Sequence, residues 1–528
     1  MSCRPPILLT VALLTLMTTG LEEAWAQEEE IIIILEEGEE EDSTPIVPSF
    51  EQRVLFRGAL TNEAALDLAF EGEDERIFRS FHRLFLGAEV EVSESIRAMI
   101  SGRTTWWMWA KKDGVERYEF EPELRDTYLH WDAPAVVNGT IGLQTWSWGA
   151  SEFFPTADVL NPRDLRTGPS SGLETPKIPS FGLTLGRSLG DSVHLEVAWL
   201  PFYEEDRRSV MATDYGLMGP GSEGDASMLP PGFDELLGGL NPSIVDDVDP
   251  LLLGLNRPDE DLLNSTVGTR LTGAFGALDA GLTYVFGWDR TPRLLLDPCL
   301  PTVGALLGGD IAPEDLDTAA LAGLLLGSGE PITSPDGTCT PEVLLESMFA
   351  GELDLLGLLQ TRTVRQHTIG GDLVFPVGDL MARLESSWSP QRVFYGTDLS
   401  SIRKPFISTT LGFTYAYETT LTVSAEVNHG HILDLDEGQE LFLMAQDQIQ
   451  TGMVIIGRFM EYDALELQLA GLYGVTLEDW VVMPSVGYRF VDGYLLQLGA
   501  RLLGGEDNSP GSLYDANDEA YILSQWNF

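Results

Sequence analysis

Charged side chains that could sort a solute are concentrated in one short stretch, Asp158-Val159-Leu160-Asn161-Pro162-Arg163-Asp164-Leu165-Arg166. Asp158 and Asp164 alternate with Arg163 and Arg166, and Pro155, Pro162, Pro169 and Pro176 stiffen the backbone that carries them. Carboxylates and guanidiniums on a stiff segment break no bonds by themselves. Set across a narrow polar passage, they discriminate solutes by charge and orient dipoles. Asp158, Arg163, Asp164 and Arg166 are therefore candidate constriction residues, and Arg97, Arg103 and Arg125 are candidate basic counterparts on nearby segments. The alternative is that these acids and bases pair with one another and only rigidify the segment.

Catalytic chemistry is poorly provided for. The chain has 6 His, and His429 and His431 are the single close pair. His194, in phase with Glu196, reads as polar lining. There is no nucleophile elbow, phosphate loop or metal-spaced cluster, and Asp246, Asp247 and Asp249 lack the fixed spacing of a calcium-binding hand. Neither an enzyme nor a cofactor is expected. Acidic residues outnumber basic ones 83 to 31, for a net charge of −52. That charge excludes nucleic acid as a partner, because a phosphate backbone needs Lys and Arg. It suits long solvated loops, cationic solutes, or divalent ions bridging to lipopolysaccharide.

The elements that must position these residues are short strands. Residues 1–26 read as a cleaved secretory signal: Arg4, an apolar run from Ile7 to Met17 too short to span a bilayer, and a small-x-small site ending at Ala26. Residues 27–52 are expected to form an acidic periplasmic leader, a disordered tail or a short strand. No later stretch has the eighteen or so apolar residues of a helical span. From Arg53 to Phe528 the chain instead breaks into about eighteen segments with period-two patterning, the signature of a transmembrane antiparallel β-barrel. In Ile407 to Tyr417, for example, Leu411, Phe413, Tyr415 and Tyr417 oppose Ser408, Thr410, Gly412 and Thr414. Apolar outside and polar inside is the pattern of a barrel in lipid.

The connections alternate in length. Even-numbered ones, such as Leu189-Gly190-Asp191, Val377-Gly378-Asp379 and Val491-Asp492-Gly493, are tight turns. Odd-numbered ones include the long insertions 150–177, 204–262 and 291–361, so all long loops leave one end, taken as extracellular. The last two carry apolar residues at helical spacing in 231–240, 311–326 and 341–359, read as short amphipathic helices. Cys299 and Cys339 lie in one loop, where an oxidising compartment allows a disulfide, with two free thiols the alternative. Trp106, Trp107, Trp109, Trp146 and Trp148 sit at strand ends and mark the membrane boundary; inward members, Trp107 and Trp109, could instead form an apolar path. The segment 150–177 is the third outward connection, placed to fold inward and narrow the lumen.

Two motifs carry a family resemblance. The Trp146-Ser147-Trp148-Gly149 strand end followed by Asp158 to Arg166, and Trp199-Leu200-Pro201-Phe202, resemble a porin-like outer-membrane family, domain of unknown function 1302. The resemblance covers Ile141 to Tyr203 and implies a large outer-membrane barrel that passes hydrophobic or small solutes. The terminal strand, with Trp526 and Phe528 on one face, looks like the signal read by the barrel-insertion machinery. The resulting expectation is an all-β outer-membrane channel for small molecules, in contact with lipid and lipopolysaccharide. The alternatives are a loop-plugged interaction barrel or a component that moves hydrophobic compounds.

Overall fold

The computed structural model describes residues 53–528 apart from 69–75, 112–113, 134–136, 167, 169–176, 208–257, 259–261, 292, 297–358, 398–399, 419, 461–463, 492 and 507–508. The signal and leader, Ala26, Cys299, Cys339, Asp246, Asp247, Asp249 and, except for Leu359, the helical segments expected in the two largest loops lie outside the described residues.

The first half of the barrel wall comprises β1 (Val54–Asp67), β2 (Arg76–Ser93), β3 (Ile96–Lys111), β4 (Gly114–Leu124), β5 (Thr127–Trp131), β6 (Asn138–Gln144), β7 (Ser180–Ser188), β8 (Val193–Leu200), β9 (Thr266–Phe275) and β10 (Leu278–Trp288). A separate two-stranded ribbon, β11 (Arg293–Leu296) with β12 (Leu359–Arg362), stands outside the wall at the root of a long loop. The second half comprises β13 (Arg365–Val377), β14 (Leu380–Tyr395), β15 (Ser401–Tyr417), β16 (Leu421–Ile432), β17 (Asp447–Phe459), β18 (Leu465–Gly474), β19 (Asp479–Val491), β20 (Tyr494–Gly504) and β21 (Glu519–Asn527). Wall strands pair antiparallel in chain order, with β4 and β5 both on β3 and β10 on β13, and β21 closes on β1 with Ala64 opposite Ile522. The result is a closed 18-strand barrel, β4 and β5 counting as one strand. Closure pairs both sides of every wall strand except β4, whose strand partner is β3 alone, and so avoids the long open edges that hydrocarbon could not hydrogen-bond.

Alternation assigns the two faces. On β15, Leu411 and Phe413 are 43% and 38% exposed on the outside, whereas Ser408 and Thr410, at 6% and 1%, are buried inside. The tight turns lie at one end, where Gly276 and Gly378 adopt φ of 69° and 65°, a region that costs glycine nothing. Two departures from simple alternation matter. The fourth wall strand starts at Gly114 with a register shift against Trp109 and Ala110 of β3, and it is broken at Arg125-Asp126 by a bulge. Met99 opposite Tyr128 and Gly102 opposite Leu124 leave one extra residue on the fourth strand, so the outward phase switches from Phe120 and Leu124 to Leu129. The Ser101 hydroxyl satisfies the bulge by donating to the Asp126 carbonyl at 2.8 Å.

Candidate functional site: the in-folded loop and the wall that holds it

Beyond β6 the chain turns into the lumen. Its first residues pack Trp146, Trp148, Val159 and Leu160 against Ala198, Leu200 and Val285, an apolar cluster between loop and wall. The indole nitrogens stay satisfied: Trp146 Nε1 donates to Thr184 Oγ1 at 2.9 Å and Trp148 Nε1 to Glu196 Oε1 at 2.7 Å. The loop then follows the inner wall past β13, where Ala157 fits over Gly370, to β17, where the Phe153 ring fits over Gly452.

Two buried carboxylates on distant strands hold the loop tip. Glu385 on β14 accepts the N–H groups of Ala150, Ser151 and Ala157 at 2.7, 2.9 and 2.6 Å. Glu426 on β16 accepts those of Glu152, Phe153 and Phe154 at 2.7, 2.9 and 3.2 Å. Each glutamate is only 1% exposed. A buried carboxylate is costly unless its oxygens are filled, and converging backbone amides fill them here. Gly149, at φ 139°, lets the approach happen: a Cβ there would lie 2.7 Å from Glu385 Oε2. Arg383 pairs with Glu152 and donates to Ser424 Oγ at 2.9 Å, tying the tip to the same wall.

The returning limb carries the residues singled out by charge. Asp158, 7% exposed, pairs with Lys177 and accepts the Trp148 N–H at 3.4 Å. Arg163 donates to the Asp158 carbonyl at 3.2 Å, and its own N–H donates to Asp206 at 2.9 Å. Arg166 grips both oxygens of Asp164, Nε to Oδ1 at 3.0 Å and Nη2 to Oδ2 at 2.8 Å, and reaches Glu121 Oε2 at 3.1 Å. Burial opposes ionisation of Asp164, but the hydrogen bonds and charge of Arg166 outweigh it and hold the carboxyl below the usual aspartate range. Glu123 gathers Arg103 at 2.7 Å, Arg125 at 3.4 Å and Arg207 at 2.9 Å. Arg97 lies apart, half exposed near the tight-turn end, with Glu89 and Asp132 each 3.9 Å away.

The structure therefore brings Asp164, Arg166, Arg103 and Arg125 together around β4, sets Asp158 and Arg163 at the loop root, and leaves Arg97 elsewhere. Charge reading missed Glu121, Glu123, Arg207, Glu385 and Glu426. The signal for the first two was their inward phase between Phe120, Pro122 and Leu124. Glu426 was legible as an inward polar position, but nothing local marked it as a loop anchor. Aromatic residues divide by phase. Trp106 is 53% exposed on the outer face, whereas Phe81, Trp107 and Trp109 form a buried inward cluster with Trp107 and Trp109 stacked at 5.6 Å. His429 and His431 lie at the loop end of β16, both in contact with Asp447, at 3.4 and 2.5 Å.

No family model matches the chain, and no curated protein does. Among solved structures, the chain is similar to Acinetobacter baumannii OccAB1 (9% identity, TM-score 0.45, covering 90% of this chain and 96% of that one). It is also similar to Salmonella typhi OmpF in complex with daunomycin (8%, 0.41, 90% and 98%) and to Pseudomonas aeruginosa OccK7 (10%, 0.40, 90% and 99%). The chain is a closed antiparallel β-barrel of porin-like architecture, with the segment that follows β6 laid against its inner wall.

Proposed function

We propose that this chain is an outer-membrane channel through which small molecules pass, its bore set by the loop anchored on Glu385 and Glu426. The observation that carries the reading is that anchor. A loop held along the inner wall by amide-to-carboxylate hydrogen bonds is fixed in place, which supports a bore of defined size. Asp158, Arg163, Asp164, Arg166, Arg103 and Arg125 form the charged flank of that passage. The large excess of acids in the long connections concentrates cations at the mouth. The test is single-channel recording of the refolded mature chain across a salt gradient. Stable conductance steps with a cation-leaning reversal potential are expected. Silence from a heat-modifiable barrel, or an anion-leaning potential, would remove the reading.

A second reading, passage of hydrophobic compounds, is favoured by one observation. Phe81, Trp107 and Trp109 form an apolar inward ladder on β2 and β3, with Arg83 lying 5.0 Å above the Phe81 ring. Block of ion current by an uncharged aromatic solute, lost in a Trp107→Ala variant, would favour it.

A further inference from the structure

The outer face of the wall carries a cluster of cations at the end from which the long connections leave. Along β10, Leu282, Tyr284, Phe286 and Trp288 share the outward phase, and Leu282 is 58% exposed. Their partners on β13 are Gly371, Ile369, His367 and Arg365. Apolar wall thus gives way to aromatic rings and then to a guanidinium. Aromatic rings at a strand end mark the level where hydrocarbon meets headgroups, so Arg365 stands at headgroup height.

Packing holds that guanidinium in place. It lies over the rings of Trp288 and Phe286, 4.3 and 4.9 Å from their centroids. Its two amino nitrogens donate to the carbonyls of Ser265 and Leu263 at 2.6 and 2.7 Å. Arg403 shares the outward phase of β15 with Ile407. It reaches across β14 to the Arg365 carbonyl at 3.4 Å and to Gln391 Oε1 at 2.6 Å. The ribbon adds two more cations, for Arg293 of β11 faces Arg362 of β12. Arg293 Nε donates to Ser401 Oγ at 3.2 Å, two residues before Arg403, which ties the ribbon to the same patch.

Charge selects the class of ligand. With acids outnumbering bases 83 to 31, an arginine of this chain has carboxylates in plenty to pair with, as Arg79, Arg103, Arg166 and Arg501 do. Among the described residues, no carboxylate stands within ion-pairing distance of Arg293, Arg362, Arg365 or Arg403. Like charges set directly opposite, as Arg293 and Arg362 are, repel unless an anion lies between them. A guanidinium fixed by ring stacking and carbonyls keeps its remaining N–H groups for a ligand, and its planar fork matches phosphate. The lipid-facing wall beneath favours an amphiphile over a free anion, with a headgroup phosphate at the arginines and acyl chains along Leu282 and Ile369.

We propose that Arg293, Arg362, Arg365 and Arg403 bind a phosphate group of lipopolysaccharide on the outside of the barrel. The proposal rests on the reading of this chain as an outer-membrane barrel with its long connections outward, since the leaflet at that end then carries lipopolysaccharide. A lipid bound there pins the ribbon at the root of a long loop to the wall.

The test is lipid binding to the refolded full mature chain in lauryldimethylamine oxide, read by native mass spectrometry. Bisphosphorylated lipid A, its dephosphorylated form, dioleoylphosphatidylglycerol and inorganic phosphate are titrated in parallel. Saturable binding of bisphosphorylated lipid A alone is expected, weakened about tenfold or more in a variant carrying Arg365→Gln and Arg403→Gln, by loss of charge-assisted hydrogen bonds. Should that variant fail to fold, Arg293→Gln with Arg362→Gln, in the ribbon outside the wall, is expected to weaken binding several-fold. Arg187→Gln, at the tight-turn end of the outer face, is expected to bind as the parent does. Equal binding of the dephosphorylated lipid, preference for phosphatidylglycerol, displacement by equimolar inorganic phosphate, unchanged binding in folded variants, or an equal loss in Arg187→Gln would overturn the proposal. Membrane fractionation of expressing cells reads the location separately. A barrel in the outer membrane that binds no lipid A sinks the site alone. A barrel recovered with the inner membrane sinks the outer-membrane reading and the site with it.

Discussion

Glu426 on β16 accepts the backbone N–H of Phe153 at 2.9 Å, joining residues 273 positions apart in sequence. The contact belongs to a pair of carboxylate clamps, Glu385 and Glu426, that together take the loop tip chiefly by its amides, with the Thr156 hydroxyl donating to Glu385 as well. This hold is reinforced by side chains, with Glu152 paired to Arg383 and the Phe153 ring set over Gly452. It also makes the loop's position depend on two wall residues.

Replacing Glu426 by Ala should leave three amide donors in a buried place without an acceptor, at about 1–3 kcal/mol each. The tip is then expected to leave the wall, giving larger and noisier single-channel currents while the barrel still migrates as a folded species. Gly149→Ala should do the same from the other side, since its Cβ would meet Glu385. Currents identical to the parent in both variants would show that the clamps do not set the bore.

The loop root should be acid-labile. Asp164 is held below the ordinary aspartate value of about 4 by Arg166, so its stabilising contribution is complete above that value and is lost as the pH falls through the lowered one. Records between pH 7 and pH 3 are expected to gain subconductance flicker only at the acid end, with Asp164→Asn flickering already at pH 7. Flicker that appears on raising the pH would contradict the sign.

Glu204 works in the opposite sense. Burial pushes its carboxyl up, against the hydrogen bond it accepts from Ser180 at 2.7 Å. Folding therefore favours the neutral form, and stability falls as the pH rises through the raised value. Glu204→Gln should raise the unfolding temperature at pH 8 by a few degrees and change it little at pH 4. A loss of stability at pH 8 would show that the ionised form is the one the fold uses.

At the closing seam, Arg79 and Arg501 alternate with Glu63 and Glu519 in a buried ring, with contacts of 2.6–3.0 Å. Removing one member strands a charge, typically at about 3–5 kcal/mol. Glu63→Gln or Arg501→Met alone should lower the temperature at which the folded band is lost in electrophoresis by several degrees. The double variant should lie nearer the parent than either single one, and additive losses would rule out a coupled ring.

Deleting Phe528 should impair both assembly and closure. Its carbonyl and N–H exchange hydrogen bonds with Gly58 at 2.6 and 2.9 Å, and its ring covers the space a Cβ at Gly58 would need. Reduced insertion into membranes containing the barrel-assembly machinery, with refolding in detergent less affected, is expected. Equal loss in both assays would assign the residue to closure alone.

Alternation along each strand is decided locally, because every second side chain must suit lipid and the others water. The sequence by itself therefore determined the barrel class, 18 wall strands, the outward phase of residues such as Leu411 and Phe413, and the single end from which the long connections leave. Local pattern carries no information about which inward charge meets which. Asp164 and Arg166 were visible as a charged pair, but their seat on Glu121 of β4 exists only because the loop folds back across the wall. Likewise, the single-residue bulge at Arg125-Asp126 and the burial of Glu385 and Glu426 under amides more than 200 positions away arise from closure and loop insertion. Those pairings are set by three-dimensional proximity, and in a buried lumen wall proximity decides whether a charge is a cost, an anchor or a filter.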